Sequence, residues 1–166
     1  MAALKKINRE AIPKALDKVD RYRLLNDPEQ AESICRDILA IDPDNQEAIV
    51  KLLLCLTDQF AKGSISKEAN SLVTRLTDRY QQEYYKGIVL ERSGKAALSR
   101  EFPDSRHDAY EWMKEAMDAY ERASALSAAD NSDAILRWNA CARAIDKHHL
   151  TPRPKEEKHK LHQPLE

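Results

Sequence analysis

Between Asp27 and Leu56 the chain reads DPEQAESICRDILAIDPDNQEAIVKLLLCL, and this run admits one local architecture: a helix, a very tight break and a second helix. Asp27 is a good N-cap, and Pro28 follows at the first helical position, where a missing N–H costs nothing. Ala31, Ile34, Cys35, Ile38 and Leu39 recur at the three-and-four spacing of one helix face. Pro43, in the break Asp42-Pro43-Asp44-Asn45, cannot continue the first helix, and Asp44 or Asn45 can cap the next. Ile49, Leu52, Leu53 and Leu56 then form a second apolar face. Two amphipathic helices with so short a link fold back as an antiparallel hairpin.

The rest of the chain extends this theme. The 166 residues suit one domain with a real core, and only 3 are glycine and 6% aromatic, against 33% charged. That balance favours an all-α fold, because β-proteins need more turn glycines and more β-branched or aromatic residues. Pro13 opens a first helix that carries Ala15, Leu16, Val19 and Tyr22 and runs to about Leu25. The hairpin helices are expected at about 28–41 and 45–61, with Gly63 closing the second and Ser64 or Ser66 capping a fourth over about 66–79. A fifth is expected from Tyr80 to Arg100, a sixth over about 106–127 and a seventh over about 133–147. Gly87 inside the fifth costs about 1 kcal/mol against alanine, which points to close helix approach. Gly94 either ends that helix early or bends it. In the seventh, Ile135, Trp138, Ala142 and Ile145 share a face, which suits a capping helix. Residues 148–166 hold three prolines, many lysines and histidines and little apolar content, the composition of a disordered tail.

Small residues recur early in alternate helices: Ala31, then Ala69 and Ala116, 38 and 47 residues apart. Cys35, Val73 and Tyr120 follow four residues later, and Ile38, Leu76 and Ala123 three after that. With Tyr22 ahead of Ala31 and the exit Ile41-Asp42-Pro43-Asp44-Asn45, the opening unit resembles the tetratricopeptide repeat (TPR) family, in particular its small bacterial-type members. Gly87 and Leu90 with Ala116, Tyr120 and Ala123 repeat the likeness without the exit proline. Against that family's 34-residue period the second and third units carry roughly 4 and 13 extra residues, the latter around 95–113. The resemblance implies a right-handed superhelical array of about three antiparallel helix hairpins plus a C-terminal capping helix over residues 1–147. Each hairpin has too little apolar surface to stand alone, and stacking buries a continuous core.

Signals of chemistry are sparse. The three glycines are scattered, so no phosphate-binding loop exists, and no nucleophile elbow, zinc-protease or kinase pattern is present. His107 beside a loop reads as solvated. His148, His149, His159 and His162 match no structural zinc spacing, so neither metal nor cofactor is expected. The basic tail lacks aromatic interleaving and reads as solubilising rather than nucleic-acid binding. A net charge of -1 gives no global field toward nucleic acid or anionic lipid. The absence of a long apolar run argues against membrane insertion. Cys35, Cys55 and Cys141 form no disulfide framework, which favours a reducing, cytoplasmic setting.

What remains is recognition. In the family the first helix of each unit lines a concave groove. The resemblance therefore directs Asp20, Arg23 and Leu24 there, with Val50, Lys51, Leu54 and Asp58 from the third helix. It adds Tyr84, Tyr85, Ile88 and Arg92 from the fifth, and Leu136, Asn139 and Arg143 from the seventh. Tyrosine and arginine are the residues that most often anchor interfaces, so Arg23, Lys51, Tyr84, Tyr85, Arg92, Asn139 and Arg143 are the expected contacts to a protein or peptide. The competing assignment puts Tyr84 and Ile88 in the core and has Arg137 and Asn139 satisfying helix-end carbonyls. A carboxylate clamp known in one variant of the family is not assembled, because its places carry Leu16, Asp20 and Lys51. The expected function is a non-catalytic interaction scaffold. The alternatives are a self-associating homodimer and a small-ligand sensor with a pocket between the fifth and sixth helices.

Overall fold

The computed structural model of the chain describes residues 2–60, 66–100 and 102–154. Among these lie seven α-helices, one short 3-10 turn at Arg9–Ala11, and no strand. Helix α1 spans Ile12–Leu24, α2 Pro28–Ile41, α3 Gln46–Thr57, α4 Ser66–Arg75, α5 Arg79–Leu98, α6 Ser105–Leu126 and α7 Asp133–Lys147. The all-helical expectation holds, and α2 has the bounds its apolar periodicity dictates. Helices α3 and α4 are shorter than expected, and α5 continues through Gly94.

Local chemistry sets the helix starts. Asp27 Oδ1 accepts from the Gln30 amide at 3.2 Å and caps α2. Asn45, rather than Asp44, caps α3 through the Ala48 amide at 2.9 Å, and its own amide group donates to Asp42 at 3.0 Å. Asp78 caps α5 through the Gln81 amide at 2.8 Å. The expected stop Gly63 and cap Ser64 lie outside the described residues, as does the side chain of Ser66.

Each helix packs on the next from α1 to α7, and α3 also touches both α1 and α5. A link of four residues between mutually packed helices makes α2 and α3 antiparallel. Arg36 of α2 reaches Glu68 of α4 with two parallel bonds of 3.0 and 3.1 Å. One continuous core runs from Val19 through Cys35, Leu53, Leu72 and Met113 to Cys141. A smaller cluster joins Ile12 and Leu16 to Ile38 and Ala48.

The two longest helices, α5 and α6, meet at the two glycines of α5. A β-carbon on Gly87 would stand 2.5 Å from the Tyr120 ring, and one on Gly94 would stand 3.1 Å from Met113. The extra length of the third unit is thus spent on a close helix pair.

Three expectations need correction. Residues 148–154, placed by composition in a disordered tail, pack against the start of α6. Leu150 is buried with Ala97 and Ala109, and Arg153 bonds to Asp108 at 2.6 Å. The Thr151 carbonyl lies 3.0 Å from His107 Nδ1, so that histidine is engaged rather than merely solvated. Residues 155–166, including His159 and His162, lie outside the described residues. On α7, Ala134 and Cys141 are the buried residues, whereas Ile135 and Trp138 are exposed. A strip of small residues lets α7 sit close to α6, and the two large side chains stand at its rim. No helix among the described residues is long and apolar enough to cross a membrane.

Candidate functional site

The contact between α1, α3 and α5 leaves a cleft of about 470 Å³. Its walls are Asp20, Arg23 and Leu24 from α1, Asn26 and Pro28 from the turn into α2, Asp58 just after α3, and Arg92 from α5. Asn26 holds a left-handed backbone, φ 59°, which turns the chain tightly at the cleft edge. Asparagine tolerates that region better than most residues.

Charges alternate along this face. Lys51 Nζ lies 2.6 Å from Asp20 and 3.3 Å from Glu47. Burial works against the lysine's charge, but Asp20 and Glu47 together outweigh it and raise its affinity for the proton. Arg23 Nε donates to Asp58 Oδ2 at 2.8 Å. Arg92 Nη2 lies 3.7 Å from Asp58 Oδ1, beyond hydrogen-bond distance. Its Nε is shut off from solvent and has no acceptor among the described residues. An N–H left in that state costs about 1–3 kcal/mol, so such groups are rare in folded proteins.

The structure brings Arg23 and Arg92 together in one cleft and sets Lys51 beside it through Asp20. Tyr84 and Tyr85 are half-buried in an aromatic run: Tyr84 stacks on Tyr80 at 5.6 Å, meets Tyr85 edge-on at 5.2 Å and tilts against Tyr120 at 5.8 Å. Ile88 is core, not groove. Asn139 is half-buried and Arg143 exposed on α7, and neither lines the cleft. Smaller cavities are also present among the described residues, one of them adjoining the cleft at Asp58 and Arg92. One of about 170 Å³ sits between α6 and α7 against Trp138, and one of about 160 Å³ runs from Thr57, Asp58 and Phe60 to α5. The α5–α6 seam, where a ligand pocket was expected as one alternative, is closely packed at Gly87 and Gly94.

A buried charge outside the expected contacts sits between α5, α6 and α7. Glu91 of α5 is only 1% exposed. Its Oε2 accepts from the Tyr120 hydroxyl at 2.7 Å, and its Oε1 faces Lys95 and Arg137, the latter at 3.4 Å. Burial pushes this carboxyl up; Lys95, Tyr120 and Arg137 outweigh burial and hold it below the usual carboxylate range. Burial and the neighbouring carboxylate keep Tyr120 protonated. Arg137 thus pairs with a buried carboxylate, not with helix-end carbonyls. Little in the local sequence marks it: Glu91 ends the apolar stretch Ile88-Val89-Leu90 and is followed by Arg92 and Ser93. The group ties α5, α6 and α7 together and is enclosed, so it serves packing.

The three cysteines are free and buried. The Cys141 thiol is pushed up to about 12, first by burial and then by the Glu91 charge, so it stays protonated and unreactive. Among the described residues no three His, Cys, Asp or Glu side chains gather as metal ligands. Compared with family models, curated proteins and solved structures, the chain matches none.

Proposed function

We propose that the chain is a non-catalytic protein-interaction module: a TPR-like array of three hairpins and a capping helix that docks an extended peptide or protein segment along its concave face. The observation that carries this is the composition of the main cleft. Five of its seven lining residues, Asp20, Arg23, Leu24, Asp58 and Arg92, belong to the set that the family resemblance directs to such a groove. The packing of α3 on both α1 and α5 supports the same arrangement, since first helices meet along the inner face of such arrays. Three free, buried thiols suit a reducing, cytoplasmic setting.

The test is selection from a randomised 12-residue peptide library on the immobilised full chain. Wild type is compared with Leu24→Glu, a change at a side chain 87% exposed and therefore harmless to the core. Enriched peptides are expected to bind wild type at least about tenfold more tightly than the variant, about 1.4 kcal/mol. No enrichment, or equal binding to both proteins, removes the cleft as a docking site.

A second reading has one observation in its favour. Ile135 and Trp138 are both exposed and lie side by side along the α6–α7 seam, Ile135 to 49%. Such a surface suits pairing of two copies. Sedimentation velocity at two widely separated concentrations decides: a strict monomer at both rules it out.

A further inference from the structure

We propose that Arg92 is the recognition point of the cleft for one carboxylate, an aspartate or glutamate side chain carried on an extended segment of a partner protein. The inference rests on reading the cleft as a docking groove and adds the chemistry of what docks.

Four charged side chains line the cleft, and three of them are held in hydrogen-bonded ion pairs. Asp20 is held by Lys51 at 2.6 Å, and Arg23 and Asp58 hold each other at 2.8 Å. Arg92 is the remaining one, restrained by the 3.7 Å contact to Asp58, with Nε unmatched among the described residues. A guanidinium offers five donors in a planar fork, and a carboxylate accepts two of them in parallel. The Arg92 side chain is a third exposed but its Nε is shut off from solvent, so holding a carboxylate in the fork requires the side chain to rotate and uncover Nε.

The position of Arg92 fits an extended ligand. It borders the main cleft and also the smaller cavity toward Lys95 and Ser99, with Asp58 common to both. A segment laid across the two passes the guanidinium midway. The same geometry limits the ligand to one acid at this point. The other cations of this face, Arg23 and Lys51, are already paired with Asp58 and Asp20, so a run of acidic residues gains nothing over one.

The experiment uses the same randomised 12-residue library on the full chain, with wild type, Arg92→Lys and Arg92→Gln in parallel. Arg92→Lys keeps the charge and removes the fork, and thermal melts confirm that each variant is folded. On wild type, enriched peptides are expected to carry Asp or Glu at one fixed position. That bias is expected to vanish on Arg92→Gln and weaken on Arg92→Lys, while the preferences at other positions persist. For a synthetic enriched peptide, changing the acid to its amide and changing Arg92→Gln are each expected to weaken binding about tenfold, and together little more than either alone. Enriched peptides that compete for the cleft but show no acidic position, or an acidic bias that survives Arg92→Gln, overturn this assignment and leave the docking groove standing. No enrichment on wild type overturns the groove itself, and this inference with it.

Discussion

Gly87 is the residue on which the largest helix contact depends. Any β-carbon there meets the Tyr120 ring at 2.5 Å, and that ring is pinned by its hydroxyl on Glu91. Gly87→Ala gains up to about 1 kcal/mol of helix propensity and loses about 1–3 kcal/mol to overpacking. Because the ring cannot swing away without giving up its bond to Glu91, the loss is expected to win. Urea denaturation should give a lower midpoint for the variant, and an unchanged or higher midpoint would show that the seam can relax. At this scale the sequence was readable wherever one residue answers to one rule, as with the glycine in mid-helix or the cap at Asp27. It was not readable at Glu91, whose burial depends on partners from α6 and α7, remote along the chain.

At the scale of elements, apolar spacing and break residues located all seven helices. Their ends were legible where a cap and a proline coincide, as at Asp27-Pro28. They were less so at α3, where no proline stands at the exit and the chain leaves the helix after Thr57. Orientation was harder still. Ile135 and Trp138 share a face with Ala142 and Ile145 by spacing alone, yet the small residues Ala134 and Cys141 face inward, because close approach to α6 favours small side chains over large ones. Composition also misjudged residues 148–154, where Leu150, Arg153 and the contacts of Arg106 and His107 with the His148 and Thr151 carbonyls seat the segment. Arg153 bonds to Asp108 at 2.6 Å and lies 3.8 Å from Asp104. Arg153→Ala is expected to free this stretch, and hydrogen exchange should speed up at the amides of 148–154 with the global midpoint shifted little, since exposed ion pairs contribute under about 1 kcal/mol. Loss of protection across α6 as well would show that the segment holds the helix rather than resting on it.

For the whole molecule, the buried carboxylate sets the response to acid. Glu91 binds its proton less readily in the fold than in the unfolded chain, where a glutamate titrates near about 4.3. Its contribution is therefore complete above that value and is lost as the pH falls through the lower, folded one. Glu91→Gln is expected to cost about 2 kcal/mol at pH 7, within the range for hydrogen bonds to charged groups. The gap between wild type and variant, read from urea titrations at each pH, should then narrow below about pH 4. A gap constant down to pH 3 would mean that the amide loses packing and not charge.

The alternating charges of the α1–α3–α5 face bear on kinetics. Asp20, Arg23, Asp58 and Arg92 cancel, and the whole chain carries a formal charge of only -1. Such a surface has no field to draw a partner in from a distance, so association should run at the unsteered rate of about 10⁵–10⁶ M⁻¹ s⁻¹ and change little with salt. Partners would then be told apart after arrival, by how long they stay.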